Sequence, residues 1–440
     1  MTFHFCPMTT AIQTTIRLRK LSTQHLAFLF LSFLAFTGCD KPTEEEYEVL
    51  WSRTYGGSLH EQARSLVEKE GSYVFAGWTA SKDGDVLGSH GGHDVWVGKV
   101  DGSGNLMWQR ALGGTNGEQA NSIKASSDGG YFVGGSTDGT NGDISAPANS
   151  SGAWLLKLNT TGQILWNQMP QSGWSKITAI TTTSDNNLVA TGWRVGTMGL
   201  NASWQYKASM QGDSLWFEHA GRSCESAAII QAIDGGYLVA GRTNTKWSSS
   251  GALVEHNGYI YKTDAKGSVQ WTKVLGGTQH DQFDGVYTNA DGSIILAGHS
   301  GSNDGDVSGN KGAADGWLVK LNAQGDLLWQ KTIGGSGTDA FTSIFRTKDG
   351  QFLLSGFTDS NDGDAGNNAG GKDAWIVVVD DNGNLVKKLT LGGSGDDGAN
   401  GVREDADGAY LLWGYSSSSD MDVPKHQGNG DVWLMRFRTK

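Results

Sequence analysis

A self-repeat constrains this chain more than any other feature. Trp51, Trp108, Trp166, Trp216, Trp271 and Trp329 recur at a mean spacing of about 56 residues, and Lys387 takes the seventh place. Twelve residues ahead of the later positions stand Trp96, Trp154, Trp204, Tyr259, Trp317 and Trp375, and Trp433 repeats that place once more. A third landmark is a turn, a short apolar run and a glycine, from "EGSYVFAG" in the first unit to "DGAYLLWG" in the last. Each landmark counts to seven, and a fixed period of this length marks units that stack on their neighbours.

Every unit offers four short β-prone runs split by turn residues, such as "NSIKAS", "YFVGGS", "AWLLKL" and "QILWNQ" in the second. Glycine, 65 of 440 residues, is at about twice its usual share, while proline numbers only five, a profile of tight turns. No helical period follows residue 38. The expected fold is all-β: a seven-bladed β-propeller with four antiparallel strands per blade, over residues 48–440. That region opens on a fourth-type strand, "EVLWSRTY", and ends on a third-type strand, "DVWLMRF". The N-terminal strand is therefore expected to complete the last blade, which removes the open edge of the ring and suits a monomer.

Residues 1–38 carry no acid and three bases, Arg17, Arg19 and Lys20, ahead of an apolar run from Leu26 to Phe36 that is too short to span a bilayer. They read as a signal peptide. The run ends in "FTGC", which resembles the lipobox of bacterial lipoproteins. The resemblance implies a lipid anchor on Cys39, an acidic tether over residues 39–47, and attachment to the outer membrane, facing the periplasm or the cell surface. Loss of the leader removes three positive charges and takes the formal net charge from -12 to -15. So acidic an exported chain is a poor partner for nucleic acid. Only Cys39 and Cys224 then remain, too few for a disulfide framework, a zinc pair or a haem motif.

A tryptophan followed by a glycine pair, as in "LLWQKTIGG", resembles the tryptophan-docking blades of pyrroloquinoline-quinone dehydrogenases and of the propeller lipoprotein that assists outer-membrane assembly. The wider pattern, with loops like "NDGDVSGN", is similar to uncharacterised propeller repeats of exported bacterial proteins. The likeness covers roughly residues 48–440 and implies a fold rather than an activity. The adjacent cysteines that quinone enzymes often place over their cofactor are missing.

A residue present in every blade is explained first by packing, and one present in a single blade needs another reason. Twelve of the 17 tryptophans occupy the two repeat positions and are expected in the core. An acid four residues after the glycine pair or its equivalent recurs as Glu61, Glu118, Glu225, Asp281, Asp339 and Asp397. Such acids fall near one mouth of the channel, where they either attract cations or accept backbone N–H bonds within their own loops.

The loop between second and third strands holds a calcium-like count, with Asp304, Asp306, Ser308 and Asp315 at positions 1, 3, 5 and 12. Asp83, Asp85 and Asp94 repeat it. Calcium is the one cofactor this chain suggests, although an aspartate that closes a turn explains the same spacing.

Departures from the repeat point to function. Directly after the second-strand glycine come Trp78, Ser136, Trp193, Arg242, His299, Phe357 and Tyr415, equivalent in place and different in chemistry. With Trp174 and Trp247, which stand outside the repeat, they suit stacking on a sugar or docking an envelope protein. The expected function is a lipid-anchored binding or scaffold module for such a partner. The alternative is a polysaccharide-active enzyme, a glycoside hydrolase or lyase, using a pair such as Glu61 and Asp397. No nucleophile elbow, metalloprotease motif or phosphate loop is present.

Overall fold

The structure, a computed structural model, describes residues 46–145, 150–196, 200–243 and 256–440. Cys39, the leader, most of the tether and Trp247 lie outside the described residues. The described chain forms 28 strands in seven four-stranded sheets, each with its strands in consecutive order except the last. The first blade shows the plan: inner strand Glu61–Lys69, then Ser72–Thr79, Asp94–Val100 and outer strand Leu106–Leu112, all antiparallel. In the seventh blade Tyr47–Tyr55 supplies the outer strand and pairs with Asp431–Thr439, from Tyr47 opposite Thr439 to Tyr55 opposite Val432. This is the closure expected from the sequence, and it leaves no unpaired edge between the first and last strands.

The two tryptophan series do different work. Those of the third strands, Trp96, Trp154, Trp204, Trp317, Trp375 and Trp433, are almost fully buried within and between blades. Those of the outer strands dock on the next blade. Each ring lies against a glycine in the turn between that blade's third and outer strands, for example Trp108 against Gly162 and Trp216 against Gly267. Gly162 and Gly267 have φ of 79° and 86°, a conformation that glycine adopts without strain. A methyl on Gly162 would sit 2.7 Å from the Trp108 ring, so a larger residue would displace the tryptophan. Lys387 departs from the series for a visible reason. In the seventh blade the third strand, Asp431–Thr439, and the outer strand, Tyr47–Tyr55, are not consecutive in the sequence, so no turn joins them directly, and Lys387 Nζ meets Thr439 Oγ1 at 3.5 Å.

Every inner strand carries a bulge three residues after its first residue, where pairing with the second strand slips by one. The bulged residues are Arg64, Asn121, Thr178, Ala227, Asp284, Thr342 and Asn400. A bulge re-aims one side chain out of the regular alternation, and here all seven line the axial channel.

Candidate functional site

The channel contains a cavity of about 480 Å³ to which every blade contributes. Four of the bulged residues bind their ring neighbours. Asn121 Nδ2 donates to Ile177 O, Thr342 Oγ1 to Ala399 O and Asn400 Nδ2 to Ala63 O, each at 2.7 Å, while Thr178 Oγ1 meets Ser226 Oγ at 3.3 Å. These bonds tie blade to blade around the axis. Arg64, Ala227 and Asp284 break the pattern, and two of them are ionisable.

The seven variable second-strand residues stand at one height. Each pairs with the second residue of its inner strand: Trp78 with Gln62, Ser136 with Gln119, Trp193 with Lys176, Arg242 with Glu225, His299 with Gln282, Phe357 with Ala340 and Tyr415 with Gly398. Only Trp193 and Arg242 of this set line the cavity. Trp78 packs on His93 with ring centroids 4.8 Å apart, and its Nε1 donates to Gln62 Oε1. Phe357 is covered by Lys372 Nζ, 4.4 Å from its centroid, and Tyr415 crowds Gly398. His299 stacks on His280, which in turn meets His256 edge-on. Burial depresses both His280 and His299 to about 4, so neither ring is charged at neutral pH.

The cavity wall across blades 3 to 5 is charged. Arg242 donates from Nε and Nη2 to Glu225 Oε2 at 3.1 and 2.7 Å, and from Nη1 to Gln282 Oε1 at 3.1 Å. Asn201 Nδ2 holds the other Glu225 oxygen at 2.5 Å. Gln282 Nε2 donates to both oxygens of Asp284, whose burial raises its pKa to about 6 despite those bonds and nearby Arg242. Lys176 Nζ lies 4.9 Å over the Trp193 ring. Burial lowers the Lys176 pKa, Glu225 opposes that, and the positive charges of Arg64 and Arg242 add to it.

The repeated acids are placed otherwise than in a charged rim. Glu61, Glu118, Asp281, Asp339 and Asp397 each begin an inner strand and are at most 2% exposed. Glu61 accepts from Gly57 N, Thr79 Oγ1 and Ser81 N, and Asp339 from Gly335 N, Thr358 Oγ1 and Ser360 Oγ. They lock the crossover between blades, and none of the five lines the cavity. Glu225 does not belong with them. Cys224 occupies the acid's register, opposite Thr243 as Glu61 is opposite Thr79. Because side chains alternate along a strand, the next residue turns the other way, into the cavity.

The aspartate loops clasp the same crossovers. Asp304 Oδ1 accepts from Thr278 N at 2.8 Å, Asp306 Oδ2 from Gly276 N at 3.2 Å, and Ser308 Oγ from Gln330 Nε2 at 2.7 Å. Asp315 begins the third strand and faces the next blade, where a methyl on Gly334 would sit 2.6 Å from both Asp315 Oδ1 and Asp339 Oδ2. Asp83 and Asp85 bind Ser58 N and Gly56 N in the same way, and Asp94 accepts from Ser89 Oγ and His90 N. The twelve-residue frame thus spans two blade junctions instead of ringing one point. Among the described residues no group of three or more His, Cys, Asp or Glu side chains is placed to hold a metal ion.

One oxygen is left over at four junctions. Asp94, Asp315, Asp373 and Asp431 each have a buried Oδ1 with no hydrogen-bond partner, and it lies beside the acid that starts the next inner strand. Burial, with the neighbouring carboxylates adding to it, raises Asp315, Asp373 and Asp431 to about 6. At the fifth such junction Asn257 stands in place of the aspartate. With its amide oriented to satisfy both neighbours, its nitrogen donates to Gly277 O and Asp281 Oδ2.

Lys176, Arg64, Gln282 and Asp284 escape the motif patterns. The residue three after the repeated acid varies as Arg, Asn, Thr, Ala, Asp, Thr and Asn around the ring, and that column carried the available signal.

The molecule is therefore a seven-bladed β-propeller with a polar cavity on its axis. No protein-family model matches the chain, and no curated protein matches its sequence. Among solved structures it is similar to the WD40 domain of Neurospora crassa Pan2, with 11% identity over 89% of this chain and 96% of that one and a TM-score of 0.52. A protein of unknown function from Dyadobacter fermentans has 12% identity over 90% of this chain and 99% of its own, with a TM-score of 0.49. A member of the DUF4221 family from Bacteroides vulgatus has 10% identity over 91% and 100%, with a TM-score of 0.40. At such identities the likeness is one of fold alone.

Proposed function

We propose that this chain is a lipid-anchored binding module of the bacterial outer membrane, held through Cys39, whose partner, a glycan or an envelope protein, enters the axial cavity beside blades 3 to 5. The carrying observation is that the ring's chemical variety converges there: Lys176, Trp193, Glu225, Arg242 and Asp284 share one cavity wall. A glycan is the better-supported partner. Trp174, 84% exposed on the crossover into blade 3, stands two residues before Lys176, and its carbonyl accepts at 2.8 Å from Val195 N, two residues after Trp193. An exposed tryptophan beside a polar cavity suits stacking on a sugar ring with hydroxyls bonded below.

The test is calorimetric titration of envelope polysaccharide fragments into the wild type and a Trp174→Ala, Trp193→Ala double variant. Binding that survives the double change undiminished would reject this face. For the anchor, labelling with radioactive palmitate in the native host should be lost in Cys39→Ser.

A second reading, hydrolysis or elimination at a polysaccharide, rests on Glu225 and Asp284. Glu225 is paired with Arg242, while Asp284 with its raised pKa can hold a proton near pH 6. It predicts turnover of some acidic or neutral polysaccharide that Asp284→Asn and Glu225→Gln each abolish. A broad substrate panel without product would count against it.

A further inference from the structure

We propose that the ligand of this channel carries a carboxylate, as a uronic acid does, bound between Arg64, Lys176 and Arg242. This rests on the glycan reading of the channel. The ring of bulges supplies the first argument. At four of its seven places a short polar side chain binds the next blade, whereas Arg64 projects a long cation into the water of the channel. Arg64 makes no hydrogen bond or ion pair among the described residues, so the fold does not account for it.

The second argument is local charge. The chain as a whole is acidic, at -12, yet this cavity gathers three cations, Arg64, Lys176 and Arg242, around two acids, Glu225 and Asp284, the latter with its pKa raised to about 6. Glu225 is already engaged by Arg242 and Asn201. Arg64 and Lys176 therefore face each other across a partly enclosed space, where burial and then the charges of Arg64 and Arg242 lower the proton affinity of Lys176. Charges held this way are costly unless a counter-charge joins them. Low-dielectric walls focus the resulting field and draw anions in.

The third argument selects a hydroxylated anion over a bare one. Asn121 and Asn400 line the cavity and use their amide nitrogens to bind neighbouring blades, so the carbonyl oxygen of each side chain remains an acceptor for a ligand hydroxyl. A cavity of about 480 Å³ is also far larger than an inorganic anion requires.

The experiment titrates sodium trigalacturonate, neutral galactotriose, sodium sulfate and a glutamate-rich tripeptide into the full chain at low and moderate salt. The wild type should bind the trigalacturonate, and Arg64→Gln and Lys176→Met should each weaken it at least about tenfold, as expected for a lost charge-assisted hydrogen bond. Affinity should fall as salt rises. Because Arg64 makes no hydrogen bond or ion pair among the described residues, Arg64→Gln should melt no lower than the wild type, which separates lost binding from lost structure.

Equal binding of acidic and neutral sugars, unaffected by Arg64→Gln, would overturn the carboxylate and leave the glycan reading standing. Preference for the peptide, or for sulfate alone, would overturn the sugar acid. Absence of binding to every probe would overturn this inference, and the glycan reading would fall only if the wider panel of envelope fragments were also silent.

Discussion

The unpartnered carboxyl oxygens at the blade junctions lead to a sharp prediction about pH. Asp315 has a folded pKa of about 6 against 3.8 in the open chain, and its side chain is fully buried. Below the open-chain value both states hold the proton and pH has no effect. As pH rises from 3.8 toward 6 the unfolded chain gives up its proton while the folded one keeps it, so stability falls across that window and levels off above it. At 1.36 kcal/mol per pH unit, the loss is roughly 3 kcal/mol for one such site. Asp373 and Asp431 repeat the arrangement.

Asp315→Asn removes this loss, because an amide cannot ionise. Its carbonyl can keep the bond from Lys311 N, and its nitrogen can donate to Asp339 as Asn257 does to Asp281. The margin of the variant over the wild type should widen by roughly 2 kcal/mol between pH 4.5 and pH 7.5, the first roughly 1 kcal/mol having accrued below pH 4.5, read from denaturant midpoints followed by tryptophan fluorescence. The difference between the two curves is what matters. His280 and His299, depressed from 6.5 to about 4, lose stability in the opposite sense as pH falls from 6.5 to 4, and they cancel in the subtraction. The paired carboxylates Asp128 and Asp407, held at about 2, act only below the open-chain value of 3.8 and fall outside the window. If Asp315→Asn lost as much stability as the wild type between pH 4.5 and 7.5, the carboxyl would not be protonated in the folded state. If calcium erased the difference and a chelator restored it, the guest at the junction would be a metal ion and not a proton.

Other outcomes follow from packing and register. Trp317, fully buried and hydrogen-bonded through Nε1 to Gln330, should cost about 3–5 kcal/mol when changed to alanine, as judged by denaturant midpoint. Deleting residues 46–55 strips the seventh blade of its outer strand, and size-exclusion chromatography should then show association through the bared edge of Asp431–Thr439. The Cys224 thiol, pushed up to about 11 by burial, should react with a thiol reagent only at the rate of unfolding; fast labelling of native protein would contradict its placement. Changing Gly162 to alanine forces a methyl within 2.7 Å of the Trp108 ring and a φ of 79° on a substituted residue, so its melting temperature should fall clearly, with a matching change in tryptophan emission.

Repetition made the fold legible and hid half of the site. Seven equal units announced the blades, and the fourth-type strand at the start announced the closure. The same habit of reading by repeat placed Glu225 with the crossover acids, although Cys224 holds that register and Glu225 faces the opposite way. A one-residue offset is invisible to composition, and it decides whether a carboxylate is buried in a clasp or lines a cavity. The bulges were hidden for a related reason. Nothing in "EQARSLVEK" says that pairing slips at Arg64, yet the slip is what sends that side chain into the channel.

The junction acids show what internal comparison adds once a structure gives the true columns. Asp94, Asp315, Asp373 and Asp431 each face an acid at the start of the next blade, namely Glu118, Asp339, Asp397 and Glu61. Asn257 faces Asp281 with a donor. At the two remaining junctions both members are neutral, Gly152 with Ser175 and Ala202 with Cys224. Acids at these places come and go as pairs, never one opposite a neutral group lacking a donor. Two carboxyls that must share a single positive guest are constrained in this way, since losing one would leave the other with an unneeded proton or an unbalanced charge. The pairs vanish where blades 2, 3 and 4 meet, on the side of the ring that carries Lys176, Trp193, Glu225 and Arg242. Blades 3 and 4, freed of the clasp between them, carry Lys176, Trp193, Glu225 and Arg242 of the cavity wall, which is where a binding function has room to differ from the repeat.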